Sequence, residues 1–383
     1  MVSTHCPAVG VPVIVPCDPR ELSPLVAWLS RREAPATTIA FPRGTVLADG
    51  RLDLCKQAIG PDGARVVLDA LRGHPAIRTI LFGTGAIGNA GASAVAGALA
   101  EGLPLETVYL GCNRIDHVGA AALAGALDAS SVRALWLKRN PLGVAGARAI
   151  ADAPHLSHLS VLDLFNCELD DEGVASVARA LANPAVRVEH VYLGGNAAGW
   201  CAARAVAELL AETRTLRTLD LSASRLGDDG AETLAAGLAA NASLEGLALA
   251  NNAIGSRGAA ALGAAIARHP RVAALGLGTV TAARALGEPT NHIGDAGAFA
   301  MADLIATTTT LRSLDLHGNG ITSHGAFAIA RALAQSSTLV ELGLHRDVAK
   351  TIRRRIRQRL AANAVPLAVP PHVMAIRSVY RGL

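Results

Sequence analysis

From residue 49 to residue 347 the apolar positions recur in one phrase, LxxLxLxxNxIG. It begins at residues 49, 77, 105, 132, 159, 188, 216, 244, 272, 311 and 339, with 27–29 residues between starts except from 272 to 311. Clear copies are "LETVYLGCNRID" (105–116), "LEGLALANNAIG" (244–255) and "LRSLDLHGNGIT" (311–322). Inside each copy the "LxL" core alternates with period two, which predicts a short strand with its leucines turned inward. The stretch that follows, such as "GAAALAGALDAS" or "GAAALGAAIARH", predicts a helix whose small apolar face packs closely on its neighbours. No single unit can bury both of its faces, so the phrase predicts a stack of units that are stable only together.

The ninth position carries Asn113, Asn140, Asn196, Asn252, Asn291 and Asn319. A buried amide there can satisfy backbone groups where the chain turns out of the strand. Gln57, Cys167, Ser224 and Asp347 are polar or small substitutes, whereas Gly85 has no side chain for the task. These residues and spacings resemble the ribonuclease-inhibitor-like class of leucine-rich repeats over residues 49–347. The resemblance implies an α/β fold: a right-handed horseshoe solenoid of eleven repeats, with parallel strands on the concave face and helices on the convex one. It also implies a preference for macromolecular partners, without naming one.

Residues 1–48 are expected to form an N-terminal cap, with a helix over 18–32 entered at Asp18 and extended segments joined at Asp49-Gly50. Residues 348–383 are expected to supply a C-terminal capping helix and a tail. Val348, Ile352, Ile356 and Leu360 form its apolar stripe, and "AVPLAVPPHVMAIRSVYRGL" either docks back on the array or reaches a partner. Composition narrows the function classes. The net charge is +4, and six of the cations (Lys350, Arg353, Arg354, Arg355, Arg357, Arg359) lie in that helix; without them it is −2, so no nucleic-acid partner is expected. The opening "MVSTHCPAVGVPVIVPC" lacks a basic start and is broken by prolines, and no apolar run reaches the ~18 residues of a membrane helix. Six scattered cysteines then read as free thiols of a reducing, cytoplasmic compartment. The excess of Ala and Arg over Lys is the bias of a GC-rich bacterial genome.

Positions five, seven and eight of each repeat face the concave surface or its rim. Tyr109, Trp136, Phe165 and Tyr192 put a ring there in four successive repeats of a chain that is only 3% aromatic. Together with Lys138, Arg139, Asp163 and Asp220 they are the candidate partner-binding residues, because rigid rings bury large area and charged groups add direction. The aspartates of the "LDL" strands, Asp53, Asp163, Asp220 and Asp315, read individually as solvated ladder residues. A second candidate is a pocket of Asp315, His317, His345 and Arg346 beneath the insertion 279–290, which lengthens one interval from the usual 28 residues to 39.

Three functions are compatible with these features. The first is a non-enzymatic scaffold that binds a protein or peptide on the concave face. The second is small-ligand binding or acid–base chemistry at the histidines. The third is a secreted adaptor, since the "GAxxLA" phrases are similar to those of GALA-type effectors. No nucleophile triad, phosphate-cradling loop or metal-ligand spacing is present, so neither an enzyme, a cofactor nor a metal is expected, and nothing sets the oligomeric state.

Overall fold

The computed structural model describes residues 14–128, 130–280, 287–344, 348–363 and 369–376. They belong to two compact units. The first holds the described residues up to 169, residues 186–188 and the C-terminal segment 369–376; the second holds 170–185 and 189–363.

The first unit opens with a short 3-10 turn, Pro19–Leu22, that runs into α1 (Ser23–Leu29). Asp18 starts it: its carboxylate accepts from the Arg20 N–H at 2.9 Å, and the Glu21 carboxylate accepts from the Asp18 N–H at 3.2 Å. This reciprocal pair satisfies two otherwise orphaned donors. Strand β1 (Ile39–Ala40) pairs antiparallel with β2 (Thr45–Val46), and β2 pairs antiparallel with β3 (Arg51–Asp53). The turn between β2 and β3 holds Gly50 at φ +82°, a conformation that other residues rarely adopt. From β3 onward the ladder is parallel through β4 (Thr79–Leu81), β5 (Thr107–Tyr109), β6 (Ala134–Trp136) and β7 (Val161–Asp163). Helices α2 (Gly60–Ala70), α3 (Gly88–Ala100), α4 (His117–Leu127) and α5 (Gly143–Ala151) alternate with these strands.

The second unit repeats the scheme with α6 (Asp170–Leu181), β8 (His190–Tyr192), α7 (Trp200–Glu212), β9 (Thr218–Asp220), α8 (Gly227–Ala240), β10 (Gly246–Ala248), α9 (Ser256–Ala267) and β11 (Ala274–Gly276). It continues with α10 (Gly294–Thr307), β12 (Ser313–Asp315), α11 (Ser323–Leu333), β13 (Glu341–Gly343) and α12 (Lys350–Asn363). Its strands are parallel and follow chain order, with Leu219, Leu247, Leu275, Leu314 and Leu342 in one register row. The insertion leaves this ladder intact, because Leu275 still pairs with Leu314. Small residues set the helix spacing: a Cβ at Gly237 of α8 would lie 2.8 Å from the Ala207 Cα of α7. Both units are therefore α/β leucine-rich-repeat solenoid structures, built from the strand-and-helix units that the apolar phrase predicts.

One amide ladder runs through each core. Asn140 accepts from the Asn113 and Ile115 N–H groups at 2.8 and 3.1 Å and donates to the Leu110 and Leu137 carbonyls at 2.9 and 2.7 Å. Asn291 does the same in the second unit, accepting from Asn252 and Ile254 and donating to Leu249 and Leu277. Cys167 substitutes with its thiol, which donates to the Leu137 carbonyl at 3.3 Å. Where Gly85 has no side chain, Asn113 of the next repeat reaches back to the Gly85 N–H and the Phe82 carbonyl, both at 2.9 Å.

A second set of bonds ties successive helices of the second unit. The Asp171 carboxylate, in the first turn of α6, accepts from Gly199, Cys201 and Ala202 N–H groups at the start of α7. Asp228 caps α9 through Gly255 and Gly258, and Asp295 caps α11 through Thr322 and Gly325. The starts of α7, α9 and α11 thus borrow a cap from the preceding repeat. At the C-terminal end, Arg359 and Asn363 of α12 donate to the Ser336 carbonyl, and Asn363 also donates to that of Leu339. Val348 and Ile356 are buried, Ile352 and Leu360 half-buried, while Lys350, Arg354, Arg355 and Arg357 are exposed.

Candidate functional site

Strand alternation puts positions four and six on the core side of the sheet and positions three, five and seven on the other. In the first unit this second side is largely closed. Strands β5, β6 and β7 bury all three of their residues, and Tyr109, Trp136 and Asp163 are 3%, 1% and 1% exposed. The three are lateral neighbours, with Tyr109 paired to Trp136 and Trp136 to Asp163. Position seven makes this possible. A Cβ on Gly111 would lie 2.7 Å from the Tyr109 hydroxyl oxygen and 3.1 Å from Lys138 Cγ, and one on Gly83 would collide with the same ring. Glycines at 83 and 111 let the Tyr109 ring lie down on the sheet. Burial pushes the Tyr109 phenol and the Cys55 thiol well above their usual ranges, so both stay neutral.

What lies on Trp136 is a later segment of the same chain, residues 369–376. The single-turn helix α13 (Pro371–Met374) places the His372 ring over the indole, 6.2 Å between centroids and 21° between planes. Arg51, at position three of β3, donates from Nη1 to the Met374 and Ala375 carbonyls at 3.0 and 3.3 Å. Asp49 holds the same guanidinium through Nε, at 3.0 and 2.9 Å to its two oxygens. Ile376 is fully buried, whereas Val369 and Met374 remain exposed. Arg51 is a contact residue that attention to positions five, seven and eight leaves out. Its signal was present in the two-residue alternation, which puts position three on the same side.

The remaining candidates divide between the units. Lys138, Arg139 and Phe165 are half-buried on the first unit's face. Arg139 sits in the left-handed region at φ +57°, as do Lys56, Cys112 and Asn166 at the same position of their repeats. The Arg139 N–H donates to the Phe165 carbonyl at 2.8 Å, so position eight is first of all the bend that leaves the strand. Tyr192 and Asp220 lie in the second unit, half-buried and in lateral register. Beside Tyr192, His190 has its Nδ1 3.0 Å from Thr218 Oγ1; burial, then the nearby Arg217 charge, lowers its pKa to about 4.

Among the "LDL" aspartates, expected to be solvated, Asp163 is instead buried beside Trp136, and all four serve the backbone. Asp53, Asp163, Asp220 and Asp315 each accept from the N–H two residues on, at 2.8–3.0 Å, and so close the exposed end of their strand. Asp315 also takes His317 Nδ1 at 2.8 Å, and that pair is about half exposed. His345 and Arg346, the other members expected of this pocket, lie outside the described residues. The insertion is anchored at both ends. Thr279 Oγ1 donates to the His317 carbonyl and the Val280 N–H to the Asn251 side chain, while Glu288, its carboxylate fully buried, pairs with Arg225 at 3.1 Å. Among the described residues no group of three His, Cys, Asp or Glu could hold a metal ion, and no helix is long and apolar enough to cross a membrane.

Comparison with known proteins agrees with the repeats. The family model described as Leucine Rich repeat matches residues 155–178, 213–235, 240–263 and 308–330. A stretch of 104 residues, 27% of this chain, is 34% identical to part of the NACHT, LRR and PYD domains-containing protein 12 of Mus musculus. The chain thus spans only 10% of that relative's length. Among solved structures, similarity extends to the leiomodin-1 actin-binding site 2, with 16% identity, a TM-score of 0.33, and coverage of 50% of this chain and 88% of that one. The tropomodulin C-terminal domain of Caenorhabditis elegans matches with 14% identity, a TM-score of 0.25, and coverage of 53% and 82%.

Proposed function

We propose that this chain is a non-enzymatic scaffold of the ribonuclease-inhibitor-like kind, working in the cytoplasm, that binds a protein or peptide on the concave, strand-lined face of its leucine-rich repeats. The binding face is that of the first unit, with Tyr109, Trp136 and Asp163 as its floor and Lys138, Arg139 and Phe165 as its accessible contacts. Tyr192 and Asp220 offer a separate and smaller surface in the second unit. One observation carries this reading: a peptide segment is already seated on the face, held by a stacked ring and by an Arg51 clamp on its carbonyls. Main-chain carbonyls taken by a fixed guanidinium, with a ring on a buried indole, are how a surface holds a peptide rather than a metabolite. Free thiols at Cys17, Cys55, Cys112, Cys167 and Cys201 fit a reducing compartment.

Affinity capture with intact protein and with a Lys138→Glu/Phe165→Ala variant tests the assignment. The variant is expected to lose its specific partners by ~10-fold or more, the scale of a lost hot spot. A Phe299→Ala/Phe327→Ala control, which alters exposed rings on α10 and α11, should keep them. Equal capture by the two variants would show that the partner binds elsewhere.

A further inference from the structure

The segment 369–376 sits on the first unit as a ligand sits in a groove, although it belongs to the same chain. Its contacts have three parts. A flat ring, His372, stacks on Trp136. Two successive carbonyls, of Met374 and Ala375, converge on one Arg51 nitrogen at the end of a single helical turn, where the carbonyl dipoles favour a cation. An aliphatic residue, Ile376, is buried completely. Val369 and Met374 are exposed, and α13 is four residues long, too short to be stable by its own hydrogen bonds.

We propose that the tail is a replaceable occupant. The groove floored by Tyr109 and Trp136 and gated by Arg51 recognises a short apolar peptide of the same chemistry, and the partner gains access by displacing residues 369–376. That peptide carries a planar side chain for Trp136, two consecutive carbonyls turned to Arg51, and an aliphatic residue four positions after the ring. This deepens the binding reading above and rests on it. Tethering keeps the tail at a high effective concentration, so a partner must exceed its affinity or arrive with additional contacts, for which Lys138 and Phe165 are placed. The groove's apparent affinity for any partner is then set by the fraction of chains whose tail is off.

The test uses a labelled peptide of sequence VPPHVMAI, residues 369–376. Full-length protein carrying His372→Asp and Ile376→Asp should bind it at least ~10-fold more tightly than the unmodified chain, because the competitor in cis is gone. Adding Arg51→Ala to that variant should cancel the gain. A second measurement needs no variant: excess unlabelled peptide, but not a scrambled one, should speed hydrogen exchange at residues 371–376 of the unmodified chain. If the peptide leaves that exchange unchanged, or a variant that melts like the parent gains no affinity, the tail is a fixed structural element and the proposal fails. Should captured partners still depend on Lys138 and Phe165 in that case, the binding face stands and only the exchange falls. Should the peptide displace the tail while the Lys138→Glu/Phe165→Ala variant keeps every partner, the exchange stands and the partner-binding assignment falls.

Discussion

Strands β5, β6 and β7 of the first unit bury every residue they contain, whereas β8 to β12 of the second bury only the middle one and leave both outer residues half-exposed. The core-facing sides of the strands are alike in the two units, with the same aliphatic rows and the same amide ladder. The difference lies on the other side. In the first unit, position five carries Leu81, Tyr109 and Trp136, and a peptide segment lies on the Trp. In the second, Tyr192 is the one ring at position five among Asp220, Ala248, Gly276 and Asp315, and the middle strands carry only Ala248 and Gly276 beside Ala250 and Gly278, which offer little apolar area to bury. One repeat frame therefore supports two surfaces of different character, because the frame is built from positions one, four, six, nine and eleven and leaves the outward strand positions out. The outward positions are free to specialise.

The sharpest way to break this comparison is to remove a ring from each unit. Trp136→Ala should cost about 3–5 kcal/mol in urea unfolding, as for other buried large-to-small changes, while Tyr192→Ala, half-exposed, should cost about 1 kcal/mol. Equal losses would mean that the two faces do not differ in burial. Next, Asn140→Ala and Asn291→Ala should each cost about 3 kcal/mol, since each leaves several buried backbone groups unpaired. Near-equality of these two is the expectation, because the ladder is common to both units; a large disparity would show that the frames differ as well.

Smaller still are the helix caps of the second unit. Asp171→Ala and Asp295→Ala should each lower stability by about 1–2 kcal/mol. Their acid dependence has a definite sign. Burial raises the Asp171 pKa, but N–H bonds from Ala202, Gly199 and Cys201 outweigh it, and for Asp295 the Thr322 hydroxyl leads; both carboxyls are held below the ordinary 3.8. Their contribution is present above that value and lost as pH falls through the folded pKa, so both alanine variants should melt like the parent well below it. The smallest effect belongs to His190, neutral in the folded chain with a pKa of about 4 against 6.5 unfolded. The unfolded chain binds the extra proton in that window, so thermal stability should decline from pH 6.5 toward pH 4, and His190→Asn should flatten that decline.

Much of this was legible beforehand. The strands, the helices and the ladder of Asn113, Asn140, Asn252 and Asn291 all follow from residues that recur every 27–29 positions, apart from the one interval that the insertion lengthens to 39, and each copy corroborates the rest. Arg51 was within reach of the same logic but lay one alternation outside the positions considered. The caps from Asp171, Asp228 and Asp295 were harder, since each bond joins residues 27–31 apart and the phrases "DDEG", "GDDG" and "GDAG" resemble ordinary local helix starts. The "LDL" aspartates are most simply read as solvated ladder residues, although each caps its own strand end.

By itself the sequence determined the repeat, the side of each strand that faces the core, and the concentration of rings at one group of repeats. Those features arise from contacts within a unit or between adjacent units, and such contacts leave a period. Only the tertiary structure decided that Trp136 is covered and that Arg51 holds the far end of the chain, 323 positions away. Whether a ring is exposed depends on what lies opposite it, and a Pro-rich tail without periodicity carries no local mark of the surface on which it rests.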